Sequence, residues 1–129
     1  MKLYSLLLRF FLLALPLLAS AQNDCPDAIM VCGSADFIDL SAEGPGNILE
    51  ITTGNACSSG ENNTIWLEIL IKDGGTLGFV ITPPTSDLVI DFDFWMFGPD
   101  VPCNALGTAI RCSTTNPLQA GLTYNTTGM

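Results

Sequence analysis

Residues 64–97 read TIWLEILIKDGGTLGFVITPPTSDLVIDFDFWMF, and the fold class turns on them. Ile65, Leu67, Ile69 and Ile71 fall on one parity and Thr64, Trp66, Glu68 and Leu70 on the other, the period-two alternation of a half-buried strand. Asp73-Gly74-Gly75 is a turn signal. Beyond it Leu77, Phe79 and Ile81 alternate with Thr76, Gly78, Val80 and Thr82, so the two runs are expected to pair as a β-hairpin. Pro83-Pro84 closes this unit, because proline has no N–H to give to a ladder. From Asp87 onward Leu88, Ile90, Phe92, Phe94 and Met96 are all apolar, the expected inward face of a third strand.

Working outward, weaker strands are expected at residues 36–40, 48–53, 108–112 and 118–124, separated by Gly, Pro, Asn and Ser. No segment after residue 21 sustains a helical period. Residues 22–129 therefore read as one all-β domain, an antiparallel β-sandwich of jelly-roll-like type. Ser113 to Met129 is rich in Thr, Asn and Gly, and the expectation is a domain cut short, with further strands and a sixth cysteine to follow.

The first 21 residues stand apart. Lys2 and Arg9 precede an apolar run from Phe10 to Ala19, and Ala19-Ser20-Ala21 supplies the small residues that a signal peptidase requires. The run is shorter than the roughly 20 residues that span a bilayer. Cys25 follows Gln22-Asn23-Asp24, which are polar where a lipoprotein signal needs small apolar residues. The sequence thus predicts a cleaved signal peptide, a mature chain beginning at Gln22, no membrane span after cleavage, and release outside the cell or at its surface.

Charge and residue counts narrow the function. The chain holds 129 residues with a formal net charge of −9. Both basic residues of the leader leave with it, so Lys72 and Arg111 face 13 acidic side chains, a net charge of −11. Such a surface has almost nothing with which to neutralise phosphates, and nucleic acid is excluded as a partner. Histidine is absent, which removes His-based nucleophilic mechanisms and His-ligated metals. Ser58, Ser59 and Thr64 have no base to activate them, and no catalytic residue is assigned.

All five cysteines, Cys25, Cys32, Cys57, Cys103 and Cys112, follow the leader, as disulfides in an oxidising compartment require. There is no CxxC pair to favour zinc. Proximity in the chain suggests Cys103 with Cys112; Cys57 then competes for Cys25 or Cys32, and one thiol is left over.

Two clusters are candidate sites. Asp87, Asp91 and Asp93 share the face opposite the expected core, roughly 7 Å between neighbours on one side of a strand. With Asp100, Glu68 or loop carbonyls they would suit calcium, which takes six to eight oxygens in irregular geometry; the competing reading is a solvated sheet face. A glycosidase acid and base is a further, remoter use of such carboxylates. Trp66 and Trp95 lie on the same outer side and could stack on sugar or enter a protein partner; the competing reading has them covered by loops or strands, with Leu70, Val89 and Phe97 beside them. Asn62 and Asn125 each open an N-x-T triplet, informative only in a host that glycosylates.

The order of these features carries a resemblance. Cys25-Pro26-Asp27-Ala28, Cys32, Phe37, Gly44-Pro45-Gly46, the run from Cys57 through Glu61-Asn62-Asn63-Thr64-Ile65-Trp66, the Gly75-to-Phe79 strand and Asp91-Phe92-Asp93-Phe94-Trp95-Met96-Phe97 before Cys103 follow one pattern. It resembles the N-terminal β-sandwich, related to pre-peptidase C-terminal and CUB-like modules, of large surface proteins of gliding bacteria. Those proteins are exported by the type IX system and end in a gliding-motility-associated C-terminal sorting domain, which would lie beyond Met129. The resemblance implies a secreted, non-catalytic adhesion module of a larger protein; the aspartate and tryptophan clusters add contact with calcium or with an extracellular glycan or protein surface. The alternative it leaves is an ancillary domain of a secreted hydrolase whose catalytic domain lies beyond Met129.

Overall fold

The computed structural model describes residues 22–33, 36–38, 40–41, 43–57 and 60–129. The expected signal peptide, residues 1–21, lies outside them, as does part of the strand expected at 36–40. Six short strands carry the fold: β1 Ile29–Cys32, β2 Leu67–Leu70, β3 Val80–Ile81, β4 Phe94–Met96, β5 Arg111–Ser113 and β6 Thr127–Gly128. Two single-turn 3-10 helices, Cys25–Asp27 and Cys103–Ala105, are the only helical elements among the described residues. The chain is all-β.

Its strands form three two-stranded ladders: β1 with β2, β3 with β6, and β4 with β5. The last two are antiparallel, whereas β1 and β2 run parallel, Ile29 opposite Leu67 and Cys32 opposite Leu70. Among the described residues no strand joins one ladder to another.

The hairpin expected between residues 65–71 and 77–81 is not made. Gly74-Gly75 at the turn fix the register only weakly, and both runs find other partners. Trp66 N donates to Gln22 O at 3.0 Å and Ile29 N to Trp66 O at 2.9 Å, which commits the first run to the N-terminal segment. Phe79 and Met129 exchange hydrogen bonds at 2.8 and 3.0 Å, which commits the second to the C-terminal strand. Gly128, in the left-handed region at φ 150°, permits that approach, since a Cβ there would collide with the Phe79 carbonyl. The strands expected at 48–53 and 118–124 do not form, and the one at 108–112 is displaced to β5.

Parity holds at one end of the third run and fails at the other. Phe94 is buried and Met96 and Leu88 half-buried, but Ile90 and Phe92 are 44% and 42% exposed. The cause is a turn rather than a strand at residues 87–90. Val89 N donates to Asp87 Oδ1 at 3.1 Å and Ile90 N to Asp87 O at 3.0 Å, the side-chain-to-backbone bonding that Asp favours in turns. Buried Asn125 locks it, its Nδ2 reaching the carbonyls of Thr85, Asp87 and Ile90 at 2.8, 3.1 and 2.8 Å.

The apolar interior is small. Val31, Ile51, Phe94 and Leu106 are buried, and Phe79 meets Phe94 edge to face at 4.9 Å. The expected inward face of the first run is open instead, with Leu67, Ile69 and Ile71 exposed. Disulfides Cys25–Cys103 and Cys57–Cys112 tie the chain across 78 and 55 residues. These replace the expected Cys103–Cys112 link: Cys103 sits in a 3-10 turn against that of Cys25, while β5 carries Cys112 toward Cys57, with Cα separations of 5.6 and 6.2 Å that suit the bond. Cys32, at the end of β1, is a free and exposed thiol.

Candidate functional site

The most elaborated polar structure lies where residues 22–25, 43–50 and 61–66 converge, and it begins with glycine. Gly46 is left-handed at φ 88°, packed so closely that a Cβ would strike the Asp24 carboxylate. That lets Asp24 Oδ1 accept from Asn47 N at 2.7 Å and Ile48 N at 2.9 Å, while Asn47 Nδ2 donates to Oδ2 at 3.1 Å. The Ile48 amide above all, then Asn47, holds the Asp24 carboxyl below the usual range, against the opposing effect of desolvation. Asn23 Nδ2 donates to Glu43 O and Gly44 O at 2.8 and 2.9 Å, and Gly44 N donates to Asn63 Oδ1 at 2.8 Å.

Two glutamates complete the cluster. Glu50 Oε1 accepts from Cys25 N at 2.8 Å, and Glu61 Oε2 accepts from Glu50 N at 3.0 Å. Glu50 is 7% exposed and Glu61 8%, and their other oxygens, Glu50 Oε2 and Glu61 Oε1, are buried with no hydrogen-bond partner. Burial first, then the charge of Glu50, raises the Glu61 pKa; amides of Glu50 and Ile51 oppose this. Asp24, Asn23, Glu50 and Glu61 are all buried polar groups, a signal that alternation and motif spacing do not report, because each lies in a loop.

The aspartates expected to hold calcium are scattered in role. Asp87 is the turn residue described above, and Asp91 borders a cavity of about 410 Å³ between Phe79, Phe92 and Tyr124. Asp93 is exposed, and its pKa is raised by desolvation and then by the neighbouring Asp91 charge. Asp100 is exposed, in the left-handed region at φ 55°. Among the described residues no group of three or more Cys, Asp or Glu side chains is gathered to hold a metal ion.

Trp66 and Trp95 do not stand free. Both are half-buried, and each indole Nε1 is buried without a partner. Trp66 stacks on Phe97 at 5.9 Å, and Trp95 lies in β4 opposite Cys112, in a different ladder from β2. Asn125 is held by its three carbonyl contacts, which occupy the amide a glycan would need.

No helix among the described residues is long and apolar enough to cross a membrane. Comparison with protein-family models, curated proteins and solved structures found no match. The class that fold and site define is a disulfide-linked all-β domain with an acidic surface and a buried carboxylate cluster.

Proposed function

We propose that this chain is a secreted or cell-surface, non-catalytic adhesion module of a larger protein, of the kind its resemblance to gliding-bacterial surface proteins implies. The observation that carries the reading is the set of exposed apolar side chains on the β1–β2 ladder, Leu67 and Ile69 on one face and Met30 and Leu70 on the other. Apolar side chains clustered on a sheet mark a surface that meets another molecule or domain. Two disulfides support an oxidising destination. The Phe79–Phe94 contact between the β3 and β4 regions supports packing of the antiparallel ladders as layers of a jelly-roll-like sandwich. The extracellular surface it meets is a glycan or protein, with Trp66 and Trp95 as candidate glycan contacts.

Two measurements test this. Residues 1–21 fused to a reporter should direct its export. The exported chain coupled to beads should attach to extracellular polysaccharide or protein coats, and Leu67→Ser with Leu70→Ser should cut attachment severalfold without lowering Tm, both side chains being exposed. Retention of full attachment by that variant, or none by the native chain, overturns the reading. Loss of attachment to polysaccharide alone in Trp66→Ala or Trp95→Ala identifies the glycan as the ligand.

A further inference from the structure

The glutamate pair presents a physical problem that the fold itself does not solve. Glu50 and Glu61 are each more than nine-tenths buried, and the amide of one residue binds the carboxylate of the other at 3.0 Å. Each nonetheless keeps one buried oxygen, Glu50 Oε2 and Glu61 Oε1, that accepts nothing. The charges acting on Glu61 are those of Glu50 and Asp24, both negative. The two basic residues after the leader, Lys72 and Arg111, are exposed. Buried carboxylates need a counter-charge, a proton or a metal, and leaving them without one is costly.

We propose that Glu50 and Glu61 form a divalent-cation site selective for calcium, in which Glu50 Oε2 and Glu61 Oε1 are the charged ligands. Both are hard oxygen donors, the chemistry that calcium and magnesium prefer. Two carboxylates supply a small part of the six to eight oxygens that calcium takes, and main-chain carbonyls and water complete such shells. Calcium is favoured over magnesium because the glutamates come from irregular loops, which suit variable coordination better than a strict octahedron. The site is separate from Asp87, Asp91, Asp93 and Asp100. Its consequence is mechanical: Glu50 and Glu61 bind the amides of Cys25 and Glu50, so a cation between them fixes the disulfide-bearing N-terminal turn to the 48–51 loop.

The test uses the exported chain stripped with chelator and titrated with calcium chloride, magnesium chloride, or potassium chloride at matched ionic strength. Calcium should bind one ion per chain in equilibrium dialysis and raise Tm by several degrees, with a midpoint of about 10⁻⁴ to 10⁻³ M, the range of extracellular modules. Magnesium should do less, and potassium should match neither. Glu50→Gln and Glu61→Gln should each abolish the calcium response while raising Tm in chelator, because they remove like charge; a merely structural role would lower it. Asp91→Asn with Asp93→Asn should keep the response. No calcium response at 10 mM, a response equalled by potassium, one that survives both glutamine substitutions, or one lost in the aspartate variant overturns the proposal. If the glutamine variants do not fold, the native dialysis stoichiometry decides, and zero bound ions overturns it.

Discussion

At the scale of single residues, Asp24 and Gly46 form one device. The carboxylate can approach the Asn47 and Ile48 amides only because position 46 has no Cβ. Gly46→Ala therefore has both a left-handed backbone and a collision to resolve, and should lower stability by about 1–3 kcal/mol in chemical denaturation. The pH response of Asp24 has a fixed sign. Its folded pKa lies below 3.8, so the stabilisation it gives is fully present above that pH and is lost as pH falls through the folded value. Asp24→Asn should lower Tm at pH 7, and the gap between variant and native protein should close below about pH 3.8. A gap of constant size down to pH 2 would contradict the charge-based account.

At the scale of elements, pairing partners decide which alternating runs become strands. The run at 65–71 has a readable two-residue period, yet only Leu67–Leu70 is strand, and its partner is the N-terminal β1. Parity in a single run reports which side chains could face inward. It does not report which distant segment supplies the ladder, because that depends on contacts such as Trp66 to Gln22. The part of the third run that was legible, Phe94 and Met96, is the part that pairs with β5. The part that misled, Ile90 and Phe92, is bent by the Asp87 turn, whose local hydrogen bonds compete with extended backbone. Gly128→Ala separates these elements experimentally. It should strip hydrogen-exchange protection from the amides of Phe79 and Met129 while the β4–β5 amides keep theirs. Phe94→Ala should do the reverse, costing about 3 kcal/mol through the loss of the buried ring and its Phe79 contact.

At the scale of the whole molecule, long-range covalent links compensate for a small interior. All-β class and disulfide use were legible from period, turn residues and cysteine placement, but the connectivity was not, because closeness in sequence says little about which turns meet in space. The buried glutamates were equally hidden, since nothing in a loop sequence distinguishes an enclosed carboxylate from a solvated one. Closing loops of 78 and 55 residues restricts the unfolded chain by about 4 kcal/mol each in the chain-entropy account. With Val31, Ile51, Phe94, Leu106 and two prolines, Pro83 and Pro117, as the buried apolar side chains among the described residues, either link is a large part of what holds the fold. Replacing Cys57 and Cys112 together by Ser should therefore unfold the chain in dilute denaturant that leaves the native protein intact. Alkylation of the native, unreduced protein should label one thiol, and peptide mapping should place it at Cys32. A linked Cys103–Cys112 peptide in the same map would show that the turns carrying these cysteines pack otherwise, and would remove the tie between the N-terminal turn and residue 103.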